Sequence, residues 1–246
     1  MTMETITDSA IVLRVEDRDV ADKYVTCFTK NHGRVRFVAF GAKYQKSSVG
    51  RILQVLAQLN LEIIQGKVVD KLVNGELDEL PLKLDYNQLA YAAVLAELTE
   101  VFTVDHQPEP VVYEYLLAAL KLLQKKPPRI VVLAYAVKLL QSTGFGPRMT
   151  ECCSCENFVV ANEDMFFSPK RGGVVCQHCH LEGDVPLSAA TYKLYLDFLD
   201  LDLVEPRSME ILGSSLMQLE KIITSFILFQ VERPLKSLQY LNQMGL

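Results

Sequence analysis

Tyr24-Val25-Thr26-Cys27-Phe28-Thr29-Lys30-Asn31-His32-Gly33-Arg34-Val35-Arg36-Phe37-Val38-Ala39-Phe40 decides the fold of the first third of the chain. Residues 24–29 and 34–40 are rich in β-branched and aromatic side chains, and Asn31-His32-Gly33 between them has turn chemistry, so the stretch reads as a β-hairpin. In its second arm Val35, Phe37 and Ala39 alternate with Arg34, Arg36 and Val38. A period of two sends successive side chains to opposite faces, so the arginines share one face and the apolar residues the other. Phe37 and Phe40 are assigned to the core, and Cys27 reads as a buried core thiol.

Upstream, residues 10–15 form a further strand; downstream, residues 55–64 and 67–73 flank Gln65-Gly66 as a second hairpin. Five short strands with turn punctuation suit a small closed barrel of the OB type. The pattern then changes. Residues 86–102, 111–124 and 129–141 carry Ala and Leu at helical spacing, and Gly144 and Pro147 end the third helix. Residues 149–183 form a cysteine-bearing insertion with few helical signals. Ser188 is an N-cap for a helix through residue 199, a long amphipathic stretch covers 209–231, and a last helical segment follows Pro234 at 235–242. The expected architecture is α+β and multidomain. A five-stranded OB-type nucleic-acid-binding barrel (1–80) precedes an α-helical domain (81–246) with an inserted four-cysteine zinc finger at about 149–183.

Cys152-x-x-Cys155 and Cys176-x-x-Cys179 are separated by twenty residues. Zinc takes four soft ligands in a tetrahedron, and the i, i+3 spacing lets both thiolates of a knuckle face one point. Phe166, Phe167, Pro169, Gly172 and Gly173 look like a short hairpin that brings the knuckles together. A redox Cys-x-x-Cys needs only one pair and a βαβ context, which is absent. A zinc deaminase needs His-x-Glu before its Pro-Cys-x-x-Cys, whereas His180-Leu181-Glu182 follows the second knuckle and no proline precedes Cys176. Cys153 and His178 sit inside the knuckles and are alternative ligands, but the three-residue spacing favours the flanking cysteines. Four protein ligands close the site, so one structural Zn2+ is expected to stabilise an insertion with little core of its own.

Half of the 246 residues are hydrophobic and the net charge is −5. The charge is segregated along the chain. Residues 23–61 hold seven Lys or Arg and no acid, 62–114 hold eleven acids against three bases, and 115–150 hold six bases and no acid. A local basic block sets a field over roughly 8–10 Å that outweighs the distant total. From the first block Lys30, Arg34, Arg36, Lys43, Tyr44, Lys46 and Arg51 are the candidate DNA-binding residues, with bases for phosphates and a ring for stacking. From the second, Lys121, Lys125, Lys126, Arg129 and Lys138 form a face that could accept an acidic, hydrophobic peptide as easily as a phosphate backbone. Apolar runs are broken well short of the roughly 20 residues a membrane span needs, and no signal peptide is visible, so a cytoplasmic protein is expected, nucleoid-associated when on DNA. No phosphate-binding loop or catalytic constellation stands out, and an enzyme is not expected.

The chain resembles the RecO family of bacterial recombination mediators. The resemblance lies in the order and spacing of elements over the whole length. They are the barrel with its Gly41-Ala42-Lys43 basic loop, Thr143-Gly144-Phe145-Gly146-Pro147, the knuckle pair, Phe167-Ser168 before Gly172-Gly173-Val174-Val175-Cys176, and Arg233-Pro234-Leu235-Lys236-Ser237-Leu238. It implies a non-enzymatic protein that binds single- and double-stranded DNA and anneals complementary strands. It also implies work with RecR to load RecA onto DNA coated by single-strand-binding protein, and contact with that protein's acidic C-terminal tail. The competing expectation is a non-catalytic, zinc-containing interaction scaffold. Its helical domain would bind protein partners through Lys121, Lys125 and Arg129, and its barrel would bind no DNA.

Overall fold

The computed structural model describes residues 5–79, 82–159 and 164–244. The expected boundary between 1–80 and 81–246 falls at Leu80-Pro81, outside the described residues, as do positions 160–163 of the expected insertion. By packing, the chain divides into two compact units, Met1–Lys125 and Lys126–Leu246.

In the first unit β1 (Thr5–Asp17), β2 (Lys23–Thr29), β3 (Gly33–Ala39), β4 (Gln58–Ile64) and β5 (Asp70–Leu77) close a barrel in the order β1-β2-β3-β5-β4. All pairings are antiparallel except β3 with β5, where Phe37 faces Asp70 and Val38 faces Lys71. Alternate residues of β1 to β4 line the interior: Ala10 and Val12, Val25 and Cys27, Val35, Phe37 and Ala39, and Leu59, Leu61 and Ile63 are all buried in one core. Burial in this dry core pushes the Cys27 thiol far above its usual range. Between β3 and β4 residues Ser48–Ile52 make a five-residue helix, α1, which Ser47 caps by accepting from the Gly50 N–H at 3.0 Å.

Phe40 was assigned to the core and is instead 55% exposed. Strand parity explains the difference: Phe40 is an even step from Arg34, Arg36 and Val38, so it belongs to the outer face. Part of that outer face is covered within the unit by α2 (Tyr86–Phe102) and α3 (Pro110–Leu122), where Phe28 meets Tyr113 with ring centroids 6.4 Å apart. Asp85 starts α2 in a capping box with Gln88, and Pro110 stands in the first turn of α3, where its missing N–H costs nothing.

In the second unit α4 (Pro128–Ser142) is buried on all sides over residues 131–140. The finger follows: β6 (Met165–Ser168) and β7 (Gly173–Cys176) form the expected hairpin, and a three-residue strand not legible in the sequence, β8 (Val185–Leu187), adds to the other edge of β6. Then come α5 (Ala189–Asp200), capped by Ser188 as expected, α6 (Gly213–Val231) and α7 (Lys236–Met244). The sheet is anchored through Phe167, whose ring meets Phe226 of α6 edge-on at 5.9 Å. Among the described residues no helix is long and apolar enough to cross a membrane.

Candidate metal centre and nucleic-acid interface

The four cysteines of the two knuckles converge. Their sulfurs all lie within 4.8 Å of one another, and Cys155 Sγ is 3.9 Å from Cys176 Sγ. A tetrahedral ion with metal–sulfur bonds of about 2.3 Å needs edges of about 3.8 Å, so the donor set fits a metal. Each knuckle has its own local reason to turn. The Cys152 carbonyl accepts from Glu156 N–H at 2.9 Å, and Glu156 closes the turn in the left-handed region (φ 61°). The Cys176 carbonyl accepts from Cys179 N–H at 3.1 Å. The first knuckle is tied to β7 by Cys153 N–H donating to the Val174 carbonyl at 2.9 Å. Gly173 is required beside it, since a Cβ there would stand 2.1 Å from the Arg148 carbonyl oxygen.

Electrostatics favour a cation at this point. Burial opposes ionisation of Cys152, but N–H groups of Cys176, Cys155 and Ser154 aimed at its sulfur outweigh it and hold the thiol at about 6. Cys179 goes the other way, to about 12, because its proton is shared first with Cys176 and then with Cys155. A divalent cation would stabilise thiolates brought this close together. Cys153 is not among the converging sulfurs, and burial raises its thiol.

Arg171 frames this centre and was not anticipated. Its guanidinium donates to Ser154 Oγ (2.7 Å), the Cys179 carbonyl (2.9 Å) and Ser168 Oγ (3.1 Å), and it pairs with Asp184. One side chain thus joins both knuckles to the hairpin. Burial works against the Asp184 carboxylate, but the Ser168 hydroxyl, the Leu181 N–H and Arg171 more than compensate and lower its pKa. A carboxyl lowered on folding adds stability above its unfolded value of about 3.9, lost as pH falls through the folded value. Arg171→Ala should cost about 3 kcal/mol by stranding Asp184, and Asp184→Asn should flatten the acid limb of a stability profile. Thermal unfolding from pH 7 down to pH 2 reads both, and an unchanged acid limb in Asp184→Asn would refute the assignment.

On the barrel, the outer face of β2 and β3 carries a cluster of cations and rings. Arg36 lies over Tyr24 at 4.6 Å from the ring centroid, and Arg18 lies 5.5 Å from both Tyr24 and Phe40. Lys71 Nζ stands 5.9 Å from the Phe40 ring centroid. The Tyr44 ring, 65% exposed, rests against Gly41, the neighbour of Phe40. Arg18 belongs to the β1–β2 loop and Lys71 follows the β4–β5 loop; the tips of these loops expose Val20 (91%) and Val68 (97%). The first loop is preorganised by Asp19, which accepts from Ala21 N–H and Asp22 N–H at 2.8 and 2.9 Å; these bonds lower its pKa. The strand 2–3 face and these two loops are where OB barrels take oligonucleotides.

The expected basic residues reach different surroundings. Lys30 pairs with Glu114 (2.7 Å), Arg34 with Asp105 (2.5 Å) and the Glu100 carbonyl, Arg36 with Glu16 (3.3 Å), and Lys43 with Asp17 (2.8 Å). Lys46 and Arg51 are exposed and have no carboxylate partner among the described residues. The acid-free block is therefore acid-free only in sequence: β1 and the α2–α3 region bring carboxylates to it. The second block fares similarly. Lys121 pairs with Glu79 (2.8 Å), Arg129 pairs with Glu220, and Lys125 and Lys126 are exposed. Lys138 was expected on a partner-binding surface, but it is only 8% exposed and donates to the Leu199 carbonyl at 2.8 Å. Burial lowers its pKa, partly opposed by Asp202 and Asp200. Lys138 is thus an internal tether, not part of a surface.

Residues 3–80 match the family model "Recombination protein O N terminal", and residues 83–239 match "Recombination protein O C terminal". The chain belongs to the RecO family. Among its relatives, a DNA repair protein RecO of Symbiobacterium thermophilum is 29% identical over 241 residues, covering 95% of each chain. One of Cutibacterium acnes is 28% identical over 251 residues, covering 98% of this chain and all of its own. One of Desulfitobacterium hafniense is 30% identical over 179 residues, 72% of this chain and 65% of the relative. In this RecO-family chain Arg18, Tyr24, Phe40 and Lys71 are the surface residues that sequence reasoning missed. The available signal was outward strand parity for Tyr24 and Phe40; nothing local marked Arg18 or Lys71.

Proposed function

We propose that this RecO-family protein is a DNA-binding recombination mediator in DNA repair. It binds single- and double-stranded DNA, anneals complementary strands and acts with RecR to load RecA onto DNA coated by single-strand-binding protein, whose acidic C-terminal tail it contacts. The observation that carries this reading is the cluster of Arg18, Tyr24, Arg36, Phe40 and Lys71 on the outer face of the barrel, with cations spaced to meet phosphates around rings on which bases can stack. The internal ion pairs of Arg36 and Lys43 do not prevent this. Exposed pairs contribute about 0–1 kcal/mol, so a phosphate can displace the carboxylate. The four cysteines hold one zinc ion as a structural element, and the protein acts without a catalytic step of its own. The relatives' naming as DNA repair proteins supports the same reading.

A second reading, a scaffold whose barrel binds no DNA, draws on those same ion pairs, which neutralise four of the seven basic residues of the first block. An assembly assay separates the two. RecA filament formation on single strands coated by single-strand-binding protein is followed with RecR present, comparing wild type with Phe40→Ala. A mediator acting through the barrel loses most of its stimulation in the variant while still binding RecR. Undiminished stimulation favours the scaffold.

A further inference from the structure

One sulfur of the thiolate cluster faces solvent. Cys155 is exposed, Cys176 and Cys179 are half-buried, and Cys152 is fully buried. Cys155 Sγ stands 3.9 Å from Cys176 Sγ, which belongs to the other knuckle. The knuckles are also joined by contacts that owe nothing to a metal. Arg171 bridges Ser154 of the first and the Cys179 carbonyl of the second, and Cys153 N–H fastens the first to β7. A frame of this kind holds the two sulfurs side by side in the folded finger, so a bond between them can form before the ion departs.

We infer that this centre is an oxidant-sensitive modification site, at which hydrogen peroxide links Cys155 to Cys176 and expels the metal. The inference rests on the metal-binding reading of the cluster. The Cys155 thiolate attacks one peroxide oxygen; the O–O bond breaks, hydroxide leaves, and a sulfenic acid remains. The Cys176 thiolate then attacks that sulfur; the S–O bond breaks and a second hydroxide leaves. Two protons from solvent turn both hydroxides into water. The two cysteines together lose two electrons and the peroxide gains them. The ion, left with two of four thiolates, dissociates. The sulfurs close by about 2 Å to reach disulfide length, a movement the exposed Cys155 loop can make while Arg171 holds the frame. A dithiol and fresh zinc reverse the change. Cys152 is spared because peroxide does not reach it, and Cys153 because it lies outside the cluster.

The test uses the full chain. Its metal content is measured first, peroxide is added, metal release is followed with a chromogenic chelator, and the disulfide is mapped by digestion and mass spectrometry. The expected result is loss of the bound ion in step with two thiols per chain, a Cys155–Cys176 linkage, and recovery with dithiothreitol and zinc. Cys153→Ser, which keeps all four converging sulfurs, should give the same linkage. A linkage through Cys152 or Cys153, loss of the disulfide in Cys153→Ser, or retention of the ion under peroxide overturns the inference. A chain that neither carries nor takes up metal contradicts the metal reading instead, and the disulfide map still decides which sulfurs react.

Discussion

Reversing Arg18, Arg36 and Lys71 to glutamate together is expected to weaken binding of a single-stranded oligonucleotide about a hundredfold at low salt. The dependence on salt should change with it. Each phosphate contact on a single strand contributes about 0.7 to the slope of log affinity against log salt, so losing three lowers its magnitude by about 2. Phe40→Ala separates stacking from charge. It removes one platform worth about 1–3 kcal/mol, roughly 5- to 150-fold in affinity, and leaves the slope where it was. The side chains are exposed, so melting should move little, and circular dichroism checks that. Anisotropy titrations across a salt series read all three quantities. A triple variant that binds like wild type at every salt would remove the barrel face from the interface.

Taking the metal away is expected to have the largest effect on stability. Among its described residues the finger buries few large side chains besides Met149, Met165, Phe167, Val174, Val175 and Leu187, too little for residues 148–187 to fold alone. Zinc bound by four thiolates supplies an apparent ~10–16 kcal/mol at neutral pH, and that free energy is folding free energy. Cys176→Ser, or a strong chelator, should therefore unfold the finger, release Phe167 from Phe226 and lower the melting temperature of the second unit by tens of degrees. Acid should do the same as thiolates reprotonate and compete with the ion. Calorimetry with parallel metal analysis checks this. A metal-free chain with native melting would show that Arg171 and the hairpin suffice without an ion.

The sequence exposed whatever depends on neighbours along the chain. The first hairpin follows from alternation in residues 34–40, the second from the Gln65-Gly66 turn between two apolar runs, and α2 from its Ala and Leu spacing, because those signals lie within a few residues. The cysteine cluster was legible for the same reason, since each knuckle is a local turn and the hairpin between them closes a short loop. What stayed hidden depends on residues far apart. Arg18, Tyr24, Arg36, Phe40 and Lys71 meet only once the barrel closes β3 against β5 in parallel. The carboxylates that neutralise the first basic block come from Glu16, Asp17, Asp105 and Glu114, all outside it in sequence. Lys138 looked like a surface charge because no single-residue signal distinguishes a lysine that tethers a buried carbonyl. Helix α1 and strand β8, five and three residues long, are too short to carry a period.

The claim that the outer face of the barrel holds DNA is tested most directly by ultraviolet cross-linking of a thymine-rich oligonucleotide to the full protein, with the attached peptides identified by mass spectrometry. Bases stacked on rings attach to those rings, so cross-links at Tyr24, Phe40 or Tyr44 that disappear at high salt are expected. Cross-links confined to residues 121–148 or to the finger, with none on the barrel, would contradict it.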